Sequence, residues 1–204
     1  MSLLGATVHG SGTFAQLSDT EVKVVTAKAY PFETLHLTEN EYQQLPFTPA
    51  FVGQGRIGGQ GSGVTEHRIG RTVNDPHQRV NKDWKNGETR HFTLTYTPSA
   101  NQVVYKNENV PDLTYQPTTA GPYRDLIIRV VGAATGRIRV ESLSLNGVPI
   151  AESFDVSNGV AVLRVTGIST QQGFSLVGKA TMQWTGNVPN QNNQLYQLWV
   201  GRVS

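Results

Sequence analysis

Strict two-residue alternation of apolar and polar side chains, repeated between glycine-containing turns, is the feature that most limits what this chain can fold into. From Phe174 to Thr185, Phe174, Leu176, Ala180, Met182 and Trp184 share one parity, while Ser175, Lys179, Thr181, Gln183 and Thr185 share the other. A helix would scatter the first set around its axis, whereas a strand puts every second side chain on one face. Glu88 to Thr97 repeats the pattern, with Phe92, Leu94 and Tyr96 opposite His91, Thr93 and Thr95. Asn86-Gly87 precedes that run and Pro98-Ser99-Ala100-Asn101 follows it, so with Gln102–Lys106 it predicts a hairpin. Further strand runs are Asp125–Val131, Arg137–Leu145 and Val160–Thr166. Asn146-Gly147 and Asn158-Gly159 suit the positive φ angles of tight turns between strands. The last run, Leu195–Val203, is apolar on both faces, which predicts a central or covered strand.

Short strands with turns about every 10 residues predict an all-β chain: a two-sheet antiparallel sandwich of jelly-roll type. One short helix is expected where Thr38 and Glu41 form a capping-box pattern ahead of Tyr42 and Leu45, with Pro46 ending it. At 204 residues the chain reads as a single β-sandwich domain over 1–204, long enough to bury a core without staples. Residues 1–50 read as an N-terminal arm carrying the helix, and residues 53–63 as a Gly-rich loop.

The chemistry the sequence excludes is broad. There is no cysteine, hence no disulfide scaffold, thiolate metal site or Cys nucleophile. Net charge is +2 with 16% charged residues, too dilute for a nucleic-acid binder. The longest apolar run, Leu126–Val131, is broken by Arg129, so no membrane span is expected. Met1–Gly12 lacks the basic start and apolar stretch of a secretory signal. Gly53-Gln54-Gly55-Arg56-Ile57-Gly58 matches a dinucleotide fingerprint, but β-like sequence follows where a helix is required. His67, His77 and His91 are too widely spaced for a zinc motif, and His67 and His91 are expected on an exposed face. No cofactor is expected. Loop carbonyls in a sandwich leave calcium open, although no acidic loop motif favours it. Ser11 and Ser62 lack a nucleophile elbow, and Glu141, Glu152 and Asp155 read as solvated acids, so the chain is expected not to be an enzyme.

Two residue sets remain for binding. Trp84, in the polar stretch Lys82-Asp83-Trp84-Lys85-Asn86-Gly87, is the tryptophan expected to be exposed. With Tyr105 and Tyr123 it forms the candidate ligand-binding set for a polysaccharide. Residues 1–50 carry five acidic and two basic residues, and residues 51–91 seven basic and four acidic. Arg68, Arg71, Arg79, Lys82 and Lys85 are therefore the candidate interaction set, able to meet an anionic partner or the acidic segment of another copy.

The runs His91-Phe92-Thr93-Leu94-Thr95-Tyr96, Asp125-Leu126-Ile127-Ile128-Arg129, Leu143-Ser144-Leu145-Asn146-Gly147-Val148 and Phe174 to Gly186 together resemble the choice-of-anchor, PEP-CTERM-associated domains of exported bacterial surface proteins. The resemblance covers residues 88–204. It implies an extracellular or cell-surface β-sandwich with a structural or adhesive role and no active-site residues to carry over. This sequence departs from that pattern in having neither an export signal nor a sorting tail. The expected function is that of a non-enzymatic structural or adhesive protein acting by self-association. A carbohydrate-binding module and a filament or viral coat subunit are the alternatives.

Overall fold

A computed structural model describes residues 32–57, 66–118, 121–190 and 192–204. The expected arm before Phe32 and the loop residues 58–63 lie outside the described residues. Of the described residues 61% are in strands and 6% in helix. The strands are β1 (Glu33–Leu37), β2 (Phe47–Arg56), β3 (His67–Gly70), β4 (Pro76–Val80), β5 (Glu88–Thr97), β6 (Gln102–Asn107), β7 (Leu113–Tyr115), β8 (Asp125–Leu145), β9 (Val148–Pro149), β10 (Phe154–Thr166), β11 (Phe174–Trp184) and β12 (Leu195–Val203). The α-helix α1 (Glu39–Gln44) follows β1, and a 3-10 turn (Pro98–Ala100) follows β5.

All strands join one antiparallel sheet in the order β4-β3-β2-β12-β8-β11-β5-β6-β7, and β7 comes back against β3 and β4 so that the sheet nearly closes. The long strand β8 makes this curl. Its first part, Asp125–Val131, pairs with β12, and its second, Gly136–Leu145, with β11. β10 runs along the other edge of both parts and carries β1 beyond it. The two runs expected on either side of residue 132 are thus one strand. Asn158-Gly159, expected as a turn between strands, sits inside β10 as a bulge. Asn158 has φ 50°, and the β10 register jumps there past residues 133–136 of β8. Positive φ serves a bulge as well as a turn.

The expected hairpin is present as β5 and β6, with Asn101 left-handed at its turn. β12 is central, between β2 and β8, as its two apolar faces required. The capping box forms as read: Thr38 Oγ1 accepts from the Glu41 amide at 3.2 Å, and Glu41 Oε2 accepts from the Thr38 amide at 2.7 Å. Glu39 of the helix pairs with Arg129 of β8 at 2.8 Å. No helix of the described residues is long and apolar enough to cross a membrane.

The Gly-rich reading needs correction at its start. Gly53, Gly55 and their neighbours to Arg56 are not loop but buried strand β2. A Cβ on Gly53 would lie 3.0 Å from the Tyr105 ring, and one on Gly55 2.5 Å from the Tyr196 ring. These glycines are therefore seats for tyrosines rather than joints. The core on that side is aromatic: Phe51 lies 5.5 Å from Tyr123, 6.0 Å from Tyr96 and 6.2 Å from Phe174, centroid to centroid.

Candidate functional site

The three aromatic residues expected to bind ligand are all buried. Trp84 is 5% exposed, Tyr105 1% and Tyr123 2%. Each belongs to the hydrophobic core, so the expectation of exposed platforms is corrected. For Trp84 the reason is local. Its extended segment points Lys82, Asp83 and Lys85 outward and turns only the indole inward.

What the indole covers is a buried cation. Arg90 is 1% exposed, and its guanidinium carbon lies 4.4 Å from the centre of the Trp84 ring. Its Nη1 donates to the Lys82 carbonyl at 3.1 Å, and its Nη2 donates to the Asp83 carbonyl and, at 2.9 Å, to Glu88 Oε2. Nη1 also lies 3.3 Å from His67 Nε2. Arginine can only donate, so Nε2 is the acceptor in that contact, while the buried Nδ1 has no hydrogen-bond partner among the described residues. Burial, and secondarily the Arg90 charge, push the His67 pKa down to about 3, which keeps the ring neutral. His67 was expected on an exposed face. It is fully buried, and that expectation is corrected.

Glu66 completes the cluster. It is 2% exposed and accepts the Lys82 amide at 2.5 Å. Burial, then the nearby Asp83 charge, raise its pKa to about 7, against the opposing pull of that amide and of Arg90. A chain of hydroxyls lies deeper: Tyr105 and Tyr196 share a 2.7 Å hydrogen bond, and Asn107 Nδ2 donates to the Tyr196 oxygen at 2.7 Å. Outside, Asn81, Lys82, Asp83, Lys85, Glu88, Arg90 and Asn109 line a cleft of about 700 Å³.

Sequence reading missed this cluster, although one signal was present. Arg90 has the parity of Phe92, Leu94 and Tyr96, so the alternation itself points it inward.

The basic set divides in two. Arg68 and Arg79 face each other across β3 and β4, and Arg71 lies in the connection between these strands. Lys82 and Lys85 belong instead to the cleft outside Arg90. The acids read as solvated are tied down: Asp155 to Arg137 and Arg139, Glu141 to Lys179, and Glu152 to the Thr34 hydroxyl. Among the described residues no group of three His, Asp or Glu side chains is placed to hold a metal ion.

A second cleft, of about 460 Å³, opens where β8 leaves β10. It is lined by Asn86, Ala134, Thr135, Gly136, Arg137, Gln183, Trp184 and Thr185. The Asn86 side chain bonds both the amide and the carbonyl of Trp184, at 2.9 and 2.8 Å, which fixes the wall carrying the indole. No protein-family model matches this chain, and no curated protein matches it.

Proposed function

We propose that this chain is a non-enzymatic structural or adhesive protein of the bacterial cell surface or extracellular matrix, acting by self-association. The observation that carries the reading is the open edge of β1. β1 bonds β10 on one side and no strand of the described residues on the other. Residues 33–36 are exposed, Leu35 at 51%, and neither lysine nor proline blunts the strand. Bare amides and carbonyls on such an edge invite another strand. A second copy fits it. Antiparallel pairing centred on Leu35 sets Leu35 against Leu35, Glu33 against Leu37 and Thr34 against His36, so no like charges meet.

Three further points support the proposal. Of the strongly shifted groups, His67 contacts the core arginine Arg90 and Glu66 accepts the Lys82 amide, so both have partners within the fold. The separate partners of the two parts of β8 favour a two-layer, jelly-roll use of the curled sheet. The resemblance to choice-of-anchor domains favours the extracellular location. Sedimentation velocity over a concentration series, with negative-stain imaging, tests the reading. Wild type is expected to form dimers or polymers, and Leu35→Lys to stay monomeric. A wild type monomeric at all concentrations overturns it.

The cleft at Trp184 favours a second reading, that of a carbohydrate-binding module. It joins a half-buried indole to neutral amides and hydroxyls, and its one cation, Arg137, is paired with Asp155. Titration with neutral oligosaccharides should quench tryptophan fluorescence in wild type and not in Trp184→Ala. Quenching that survives the substitution removes this reading.

A further inference from the structure

Every arginine on β8 and β10 pairs with a carboxylate: Arg129 with Glu39, Arg164 with Asp125, and Arg137 and Arg139 with a shared Asp155. The β3–β4 hairpin departs from that rule. Arg68 and Arg79 stand directly opposite each other in register, an arrangement of like charges that costs stability. Arg71 adds a third positive charge in the connection between the strands. None of the three forms an ion pair among the described residues, and neither does Asp75, the one acid of that connection.

Arg68 is also held in place. Its Nη1 donates to the Val73 carbonyl at 2.8 Å, which draws the guanidinium toward the connection that carries Arg71. Its buried Nε has no partner at all. Burial, and then the charge of Arg79, lower its pKa, the mark of a cation short of a counter-charge. Two guanidinium groups on neighbouring strands, both without a carboxylate partner among the described residues, match planar or tetrahedral oxyanions that arrive in series.

We infer that the β3–β4 hairpin binds the carboxylate or sulfate groups of an acidic polysaccharide, with Arg68, Arg71 and Arg79 as the contacts. A nucleic acid fits less well. The three arginines lie in one hairpin of a chain whose net charge is only +2. The site stands apart from the β1 edge and does not depend on self-association.

Calorimetric titration with heparin, for sulfate, and with polygalacturonate, for carboxylate, tests the site. Wild type is expected to bind at least one of them. Arg71→Gln/Arg79→Gln, at two exposed positions, should weaken that binding by about tenfold or more, because hydrogen bonds to charged groups are lost. Arg68→Gln should weaken it from the half-buried side. Lys106→Gln/Lys179→Gln removes the same charge from residues paired elsewhere and should leave the affinity within about twofold of wild type. The inference is overturned by a wild type that binds neither polymer, by equal losses in the two double variants, or by equally tight binding of a short DNA duplex.

Discussion

Replacing Glu66 with glutamine should expose a pH dependence that the wild-type protein conceals. A carboxyl in the unfolded chain titrates near 4.5 and Glu66 in the fold at about 7, so between these values the unfolded chain gives up a proton that the folded chain keeps. The stability that the raised pKa contributes is therefore full below 4.5 and is lost as pH rises toward 7. Lowering pH from 7 to 5 favours the fold by about 2 kcal/mol through Glu66. His67 works the other way. Its pKa falls from 6.5 unfolded to about 3 folded, so its contribution is full above 6.5 and is lost as pH falls. The same step from pH 7 to 5 costs about 2 kcal/mol through His67. The two nearly cancel. Carboxylates with lowered pKa values, such as Glu39, Glu88 and Asp155, lose their contributions below about 4.5, outside this window.

Wild type should therefore show nearly flat stability from pH 7 to 5 in guanidinium denaturation followed by tryptophan fluorescence. Glu66→Gln keeps an oxygen for the Lys82 amide and mimics the protonated acid, so only the His67 slope remains. The variant should be more stable than wild type at pH 7, and should lose about 2 kcal/mol on going to pH 5. A variant as flat as wild type would refute the reasoning, since it would mean that Glu66 and His67 do not titrate as opposed buried groups.

Other outcomes follow from single contacts. Arg90→Met should cost about 3–5 kcal/mol in denaturant unfolding, because it removes the charge that Glu88 faces and the donor to two backbone carbonyls. A Cβ on Gly178 would lie 2.6 Å from Phe92 and 2.8 Å from Leu143, so Gly178→Ala should cost about 1–3 kcal/mol by overpacking, read as a lower thermal midpoint. Thr38→Ala removes the hydroxyl that accepts the Glu41 amide and should cost about 1 kcal/mol, with faster amide exchange confined to α1.

The strand pattern was legible wherever one face is buried and the other wet. β5, β6, β11 and the capping box of α1 could be read residue by residue, because alternation and turn chemistry agree there. β8 was harder. Its Ala133–Gly136 stretch breaks the pattern because these four residues have no partner in β10, which spans the gap with Asn158 alone, so one strand of 21 residues looked like two runs. Gly53 and Gly55 misled for a different reason. A missing side chain signals a flexible loop and a seat for an aromatic ring equally well, and only the opposite strand, with Tyr105, decides. Trp84 looked exposed because its neighbours are charged, whereas the ring lies inward over the buried Arg90. Of the basic set, the facing of Arg68 and Arg79 depends on strand register, which spacing alone does not specify.

Self-association through the β1 edge is best tested on the backbone itself. Amide hydrogen exchange of residues 33–37 should be measured in dilute and in concentrated protein, for wild type and for Leu35→Lys. In dilute protein the amides of β1 that point away from β10 should exchange fast. In concentrated wild type they should become protected, and in Leu35→Lys they should remain fast. Outward β1 amides that stay fast in wild type under conditions where larger species form would contradict the account, since the contact would then lie elsewhere on the molecule.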